Sequence, residues 1–401
     1  DYLSRLSALI ERMNADSITH VIIYGDREHF SNIEYFTGYD CRFEESLLIV
    51  DCEGKTTIVV GNEGYSYSLL IPIDIKRTVY QNFSLQGQPR DRSPTLERIF
   101  IEAGLGNTSQ IGIVGYKYFD QRYFPDPEHI YDIPAYILDA LKSVSYREMI
   151  NYTEAMTGLP NGIRMKIRSP KEIAWAEYAA GKCTNILLNM FDALHVGETE
   201  LSVSSKSNAE MLPQSVHPMI NFGPHVATGL RSPNETRLEL GGCCGLCYGL
   251  RGSLVSRVGV AAYDYDTYNE DLLPFLNSFY KPFWSAIAAW YETVKVGSIG
   301  GDIYDAVMSK IGDQKFGVVL NPGHNIGMDE WTNSPMYRDS SIPIINGSYL
   351  QCDIIASGSD PIRCAICEDT VVVADLDLRN RLRIEFPNTF DRIVKRQKIM
   401  R

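Results

Sequence analysis

The chain has 401 residues, enough for two domains with substantial cores, and its 44% hydrophobic and 22% charged residues are ordinary for a globular protein. A formal charge of -12 argues against a broad nucleic-acid footprint, and no run of about 18 uninterrupted apolar residues marks a membrane span. Nine cysteines, an odd number, point to free thiols in a reducing compartment; with no apolar signal-like segment after Asp1, the expected location is cytoplasmic.

Apolar residues at Leu3, Leu6, Leu9, Ile10 and Met13 predict an amphipathic helix over Tyr2–Met13. His20–Tyr24 reads as a buried strand, followed by Asn32-Ile-Glu-Tyr-Phe-Thr-Gly38. Further strands are expected at Ser46–Val50 and Thr56–Val60, separated by the turn Asp51-Cys-Glu-Gly54. A helical pattern over Leu96–Ala103 and a strand pattern over Gln110–Val114 continue the alternation. This order predicts a mixed α/β domain over residues 1–160, with 161–168 as a linker. Ser169 as N-cap, Pro170 at the first helical position and Glu172 in the first turn open a helix running toward Leu194, and with it a second domain over 169–401.

Within that second domain Leu240 to Tyr263 contains neither Asp nor Glu. Cys244/Cys247 and Cys364/Cys367 have metal-ligand spacing, but in strand-like context positions i and i+3 point to opposite faces, so buried inert thiols are the reading. Aromatic residues in Asn277–Trp284 read as core. Near the C-terminus Arg379, Arg381, Arg383, Arg392, Lys395, Arg396, Lys398 and Arg401 face only Glu385 and Asp391, which reads as a basic solvated helix face.

Chemistry concentrates between Val318 and Val373. An apolar run breaks into a Pro/Gly turn holding His324 between Gly323 and Gly327, where glycine lets backbone come close to whatever the histidine touches. Ser348–Ile355 and Cys364–Val373 read as two strands flanking the turn-rich Ala356–Arg363. If they pair symmetrically about Asp360 and Pro361, Asp353 lies opposite Glu368 on one face. Like charges there need a metal, a cation such as Arg363 or protonated His324, or a retained proton. A one-residue slip would instead send both side chains to solvent, and the sequence leaves both registers open.

These segments resemble the pita-bread fold family of creatinase, prolidase, aminopeptidase P and methionine aminopeptidase. Gly-His-Asn-Ile-Gly at 323–327, Glu-Asp-Thr at 368–370 and Asp353 are similar to the family's late metal-site residues. Ser169-Pro-Lys-Glu and Gly197-Glu-Thr-Glu-Leu resemble the opening of its C-terminal catalytic domain, Ile220–Ala227 resembles the strand that leads into its active site, and Asn32-Ile-Glu-Tyr-Phe-Thr-Gly resembles part of its N-terminal domain. The resemblance implies an α/β (α+β) fold of two domains, an N-terminal creatinase-type mixed-sheet domain and a C-terminal pita-bread domain. It also implies a homodimer, with Arg42 and Phe43 on a loop that can reach a partner's active site; an ordinary surface loop is the alternative.

The chain departs from the family at the acid-free segment, where the resemblance expects two aspartates and only Ser256-Arg257 is similar to its Thr-Arg. The positions of both proton-handling histidines are also changed: one falls at Leu230, with His225 nearby at another spacing, and the other at Trp331-Thr332. A two-metal hydrolase needs more anionic oxygens than remain.

Two main readings follow. One is a divergent hydrolase cleaving a C–N bond of a small peptide or amino-acid-like substrate, with His324, Asp353 and Glu368 as catalytic residues and Arg257, His225, Arg363 and Arg42 as substrate-binding candidates. For His225 a structural or surface role is the favoured alternative, because one histidine without a placed partner is weak evidence of a site. The other is a catalytically silent small-molecule or peptide-binding protein, in which Asp353 and Glu368 bond backbone amides or Arg257 and Arg363; some relatives, including a histone-chaperone subunit, keep the fold without catalysis. A third possibility is single-metal hydrolysis. No cofactor is expected beyond at most one divalent metal, Mn or Zn, held by His324, Asp353 and Glu368. No nucleic-acid or membrane partner is expected.

Overall fold

The computed structural model describes residues 1–264, 272–359 and 362–400. They form two compact units, Asp1–Ile163 and Arg164–Arg401.

In the first unit, helix α1 (Tyr2–Ala15) buries Leu6, Leu9 and Met13 of the stripe its spacing predicts, while Leu3 in the first turn stays exposed and Ile10 is half-buried. Strand β1 (His20–Gly25) follows, then α2 (Ser31–Thr37), which stops where Gly38 adopts φ 72°, a left-handed cap that suits glycine. Strands β2 (Ser46–Asp51), β3 (Thr56–Val60), β4 (Lys76–Val79), β5 (Ile111–Val114) and β6 (Ile150–Asn151) complete a sheet of order β4-β3-β2-β1-β5-β6. The sheet is mixed: β1 pairs β2 antiparallel and β5 parallel. Helices α3 (Leu96–Glu102) and α4 (Ala135–Val144) pack Phe100, Ile137 and Leu141 onto Ile22, Ile49 and Ile113.

The second unit opens on α5 (Pro170–Asp192). Ser169 accepts from the Glu172 amide, and the Glu172 carboxylate accepts from the Ser169 amide, a reciprocal cap. Strands β7 (Met219–Phe222), β8 (Cys243–Leu250), β9 (Ser253–Val260), β10 (His324–Asn325), β11 (Ser348–Ser359) and β12 (Ile362–Val373) form one sheet of order β10-β11-β12-β9-β8-β7, antiparallel throughout. The expected strand over Ile220–Ala227 is only partly one: from Gly223, at φ 59°, the chain turns into a 3-10 helix carrying His225.

Helices α6 (Lys281–Thr293) and α7 (Gly300–Ile311) cover alternate residues of the sheet, with Phe283, Trp290 and Ile303 against Leu350, Cys352, Ile354 and Ala356. Phe279, Tyr280 and Phe283 are core, whereas Trp284 is exposed. After β12 come α8 (Leu376–Glu385) and α9 (Pro387–Met400). The expectation of a purely solvated basic face needs correction, because Arg396 holds buried Glu177 of α5 through two hydrogen bonds of 2.8 and 2.7 Å and Arg392 stands 3.6 Å from the same carboxylate. No helix among the described residues is long and apolar enough to cross a membrane.

Candidate functional site

The β11–β12 ladder settles the register: Asp353 pairs with Glu368. Asp360 and Pro361, about which the pairing is symmetric, lie outside the described residues. The strands reach further than their turn-rich residues suggest, since Ala356 to Ser359 are still in the ladder. Across the sheet the row continues from Glu368 to Ser256 on β9 and from Ser256 to Cys247 on β8. Because successive side chains alternate in direction, Asp353, Glu368, Ser256 and Cys247 share one face. Where the resemblance expects aspartates on the adjacent strands, this row offers a hydroxyl and a thiol.

His324 stands at the other edge. On β10 it pairs with Gln351, and a close approach brings it there: Gly323 has φ 129°, and a Cβ on it would lie 2.6 Å from the Gln351 carbonyl oxygen. The imidazole is fully buried and its Nδ1 is 3.1 Å from the Asn325 carbonyl oxygen, which makes Nδ1 the donor there and leaves Nε2 for the site. Nε2 is 3.3 Å from Glu330, 3.7 Å from Glu368 and 3.8 Å from Asp353. The Trp331 indole stacks on the imidazole, with centroids 4.0 Å apart and planes at 18°. His324 Nε2, Asp353 Oδ1 and Glu368 Oε1 are all buried without a hydrogen-bond partner.

Crowding of carboxylates away from water decides the electrostatics. Burial pushes Asp353 well above the ordinary carboxylate range, and the facing Glu368 adds to it. Burial also raises Glu368, although its contact with His324 pulls the other way. For His324 burial opposes the charged form, but Glu330 and Glu368 overcome it and raise the imidazole to about 10. One face thus holds a cationic histidine and acids that keep protons unusually well.

Beneath the cluster, Gln351 is fully buried. Its amide donates to the Leu254 carbonyl at 2.6 Å, and its oxygen accepts from Thr370 Oγ1 at 2.8 Å, which is in turn 2.7 Å from Ser253 Oγ.

The other predicted residues are placed differently. Arg257 bonds both Asp369 oxygens at 2.9 and 2.7 Å and the Glu368 carbonyl at 3.0 Å, so its guanidinium braces the strand behind the cluster and meets neither predicted acid side chain. Cys367 is its register partner, and strand alternation turns Arg257 away from Glu368. Arg363 lies with its guanidinium 4.5 Å from the Phe275 ring centre, an odd number of residues from Glu368 along β12 and hence on the opposite face. His225 is half-buried in its 3-10 turn, and the ion pairs of His324 do not include it. Arg42 belongs to the first unit, over the Phe30 ring at 5.1 Å. All nine cysteines are free, and burial pushes Cys244 and Cys367 up to about 12 and raises Cys247 well above the ordinary thiol range.

Glu330 and Gln351 escaped the sequence reading, and Trp331 entered it only as the position of a missing histidine. A loop acid is ordinarily solvated, and only its short distance from the Gly-His-x-x-Gly segment could have singled Glu330 out. Among the described residues, His324, Glu330 and Glu368 are the group whose ligand atoms, all within 4.8 Å of one another, can hold a metal ion. A separate cavity of about 370 Å³ opens beside α5, lined by Lys182, Asn189, Glu210 and Tyr248; the cluster's unpartnered atoms lie elsewhere.

No protein-family model and no curated protein matches the chain. Solved structures do. The prolidase from Pyrococcus horikoshii superposes with a TM-score of 0.70 at 16% identity, covering 92% of this chain and 95% of that one. An Xaa-Pro dipeptidase from Bacillus anthracis gives 0.70 at 13% identity, covering 93% and 95%. The N-terminal domain of a FACT complex subunit from Cicer arietinum gives 0.62 at 11% identity, covering 93% and 95%. Similarity over nearly the whole chain, with the mixed sheet and the antiparallel sheet each in its own unit, gives this protein the two-domain pita-bread fold of the prolidases.

Proposed function

We propose that this protein is a hydrolase of the Xaa-Pro peptidase type, cleaving a C–N bond of a short peptide or amino-acid-like substrate at the His324, Asp353 and Glu368 cluster. The observation that carries the reading is that His324 Nε2, buried without a hydrogen-bond partner, stands 3.7 Å from the equally unpartnered Glu368 Oε1 and 3.8 Å from Asp353 Oδ2, while Asp353 Oδ1 is also buried and unpartnered. Such atoms are costly unless a ligand satisfies them. The imidazole and carboxylate donors fit one divalent ion, manganese or zinc, with His324 and Glu368 as ligands. When bound, such an ion polarises a carbonyl and lowers the pKa of water.

The chain's own residues do the rest. The Asn325 carbonyl fixes the His324 tautomer, so Nε2 always faces the site. Asp353, whose carboxyl is raised by burial and by its acidic neighbour, is placed to give a proton to the leaving nitrogen. Trp331 shields the imidazole, and the Gln351 network holds β11 against β9. A homodimer acting in the cytoplasm belongs to the same reading.

The test is elemental analysis of protein purified without added metal and after exposure to manganese or zinc, followed by proline-containing dipeptide hydrolysis. We expect one ion per chain, lost in a His324→Ala, Glu368→Ala variant, and proline release reduced at least about 100-fold in Asp353→Asn. Absence of hydrolysis under every metal condition overturns the reading. The second reading, a catalytically silent binder, is favoured by the neutral Ser256 and Cys247 in the row and by the likeness to the FACT subunit domain. Thermal stabilisation by small guanidino or N-methyl amino acids, without turnover, would support it.

A further inference from the structure

The cluster has neutral groups on two strands, yet it holds one acid that the strands do not supply. Glu330 comes from the loop after β10, and its Oε1 is 3.3 Å from His324 Nε2, nearer than either strand carboxylate. That loop is closely tied. The Asn325 amide donates to the Asn333 carbonyl at 2.6 Å, and the Thr332 amide and hydroxyl both donate to the Asn325 carbonyl, at 3.0 and 2.9 Å. The Gly327 amide donates to the Asp329 carbonyl at 3.0 Å, and the Gly252 amide to the Gly327 carbonyl at 2.8 Å. Arg164 grips the Asp329 carboxylate in a buried ion pair, and Trp331 lies on the imidazole. Glu330 is therefore fixed on both sides and has little freedom to leave.

A plain ion pair with a cationic histidine would account for Glu330 alone. It leaves Glu368 Oε1 buried and without a hydrogen bond, 3.7 Å from His324 Nε2, and close enough to Glu330 and His324 for one ion to touch all three. A cation between two carboxylates and an imidazole nitrogen satisfies every one of these atoms.

We propose that Glu330 is a loop-borne ligand that completes a single divalent-cation site with His324 and Glu368, substituting from outside the sheet for carboxylates that β8 and β9 do not carry. This rests on the one-ion reading above and adds to it that ion affinity depends on the loop Gly327–Trp331. The mouth of the site is then formed by a loop whose position and ion occupancy are coupled.

The experiment uses the full metal-stripped chain, titrated separately with manganese and zinc by calorimetry, with elemental analysis for stoichiometry. Glu330→Gln is expected to bind the ion at least about 10-fold more weakly than wild type, with an unchanged far-UV circular dichroism spectrum showing that the fold is kept. Arg164→Ala, which frees Asp329, is expected to weaken ion binding in the same direction, and Arg164→Lys to restore part of it. Wild-type affinity in Glu330→Gln, together with lost binding in the His324→Ala, Glu368→Ala variant, overturns this inference and leaves the one-ion reading standing. No ion bound by wild type overturns both.

Discussion

A fully buried imidazole facing Glu330, Asp353 and Glu368 holds its proton more tightly than a free histidine, and Asp353 and Glu368 do the same. His324 is raised from 6.5 to about 10, and Asp353 and Glu368 are raised from ordinary carboxylate values. All three groups bind protons more tightly in the folded chain than in the unfolded one. The stability they contribute is therefore complete below the unfolded pKa values and is lost as pH climbs through the folded ones. The metal-stripped protein should show a urea midpoint that falls steadily between about pH 6 and pH 10. A His324→Gln, Asp353→Asn, Glu368→Gln variant should show a flatter profile; an equal slope would mean that other groups set it. The three residues were legible because glycines bracket the histidine and because a symmetric hairpin sets the two acids opposite one another. Glu330 and Trp331 were not, since loop residues carry no periodicity from which a direction can be read.

At the level of elements, local signals were the dependable ones. Ser169, Pro170 and Glu172 announced the start of α5, and the structure supplies both bonds of the reciprocal cap. Ser169→Ala should cost about 1 kcal/mol of stability, measured by denaturant unfolding with unchanged m-value; no change would mean that tertiary packing alone sets this helix start. Signals spread along the chain were harder to read. Glycine and serine in Ala356–Ser359 suggested a turn, but Gly358 stays in the ladder, where a Cβ would come 3.0 Å from the Lys315 carbonyl oxygen. The glycine marks a close backbone approach. The pairing of Glu177 with Arg396, 219 residues away, had no local trace at all. The arginine-rich C-terminus read as solvated because the acid that it meets sits on another helix.

For the whole molecule, the mixed α/β organisation of the first unit followed from element order and that of the second from the family resemblance, while the assignment of the acids to the middle of the second sheet followed from neither. That assignment gives the two halves of the site unequal support. Asp353 and Glu368 sit within a ladder of twelve residue pairs, and β12 is paired on its other side by β9 as well. His324 sits on an edge strand joined to β11 by only two pairs. Amide hydrogen exchange in the ion-free protein should accordingly be slow at Asp353 and Glu368 and faster at His324 and Asn325. Equal protection would show that the loop contacts hold the edge as firmly as the ladder holds the centre. Unequal protection means that the histidine can part from its acids through a local opening, while the sheet that carries those acids stays folded.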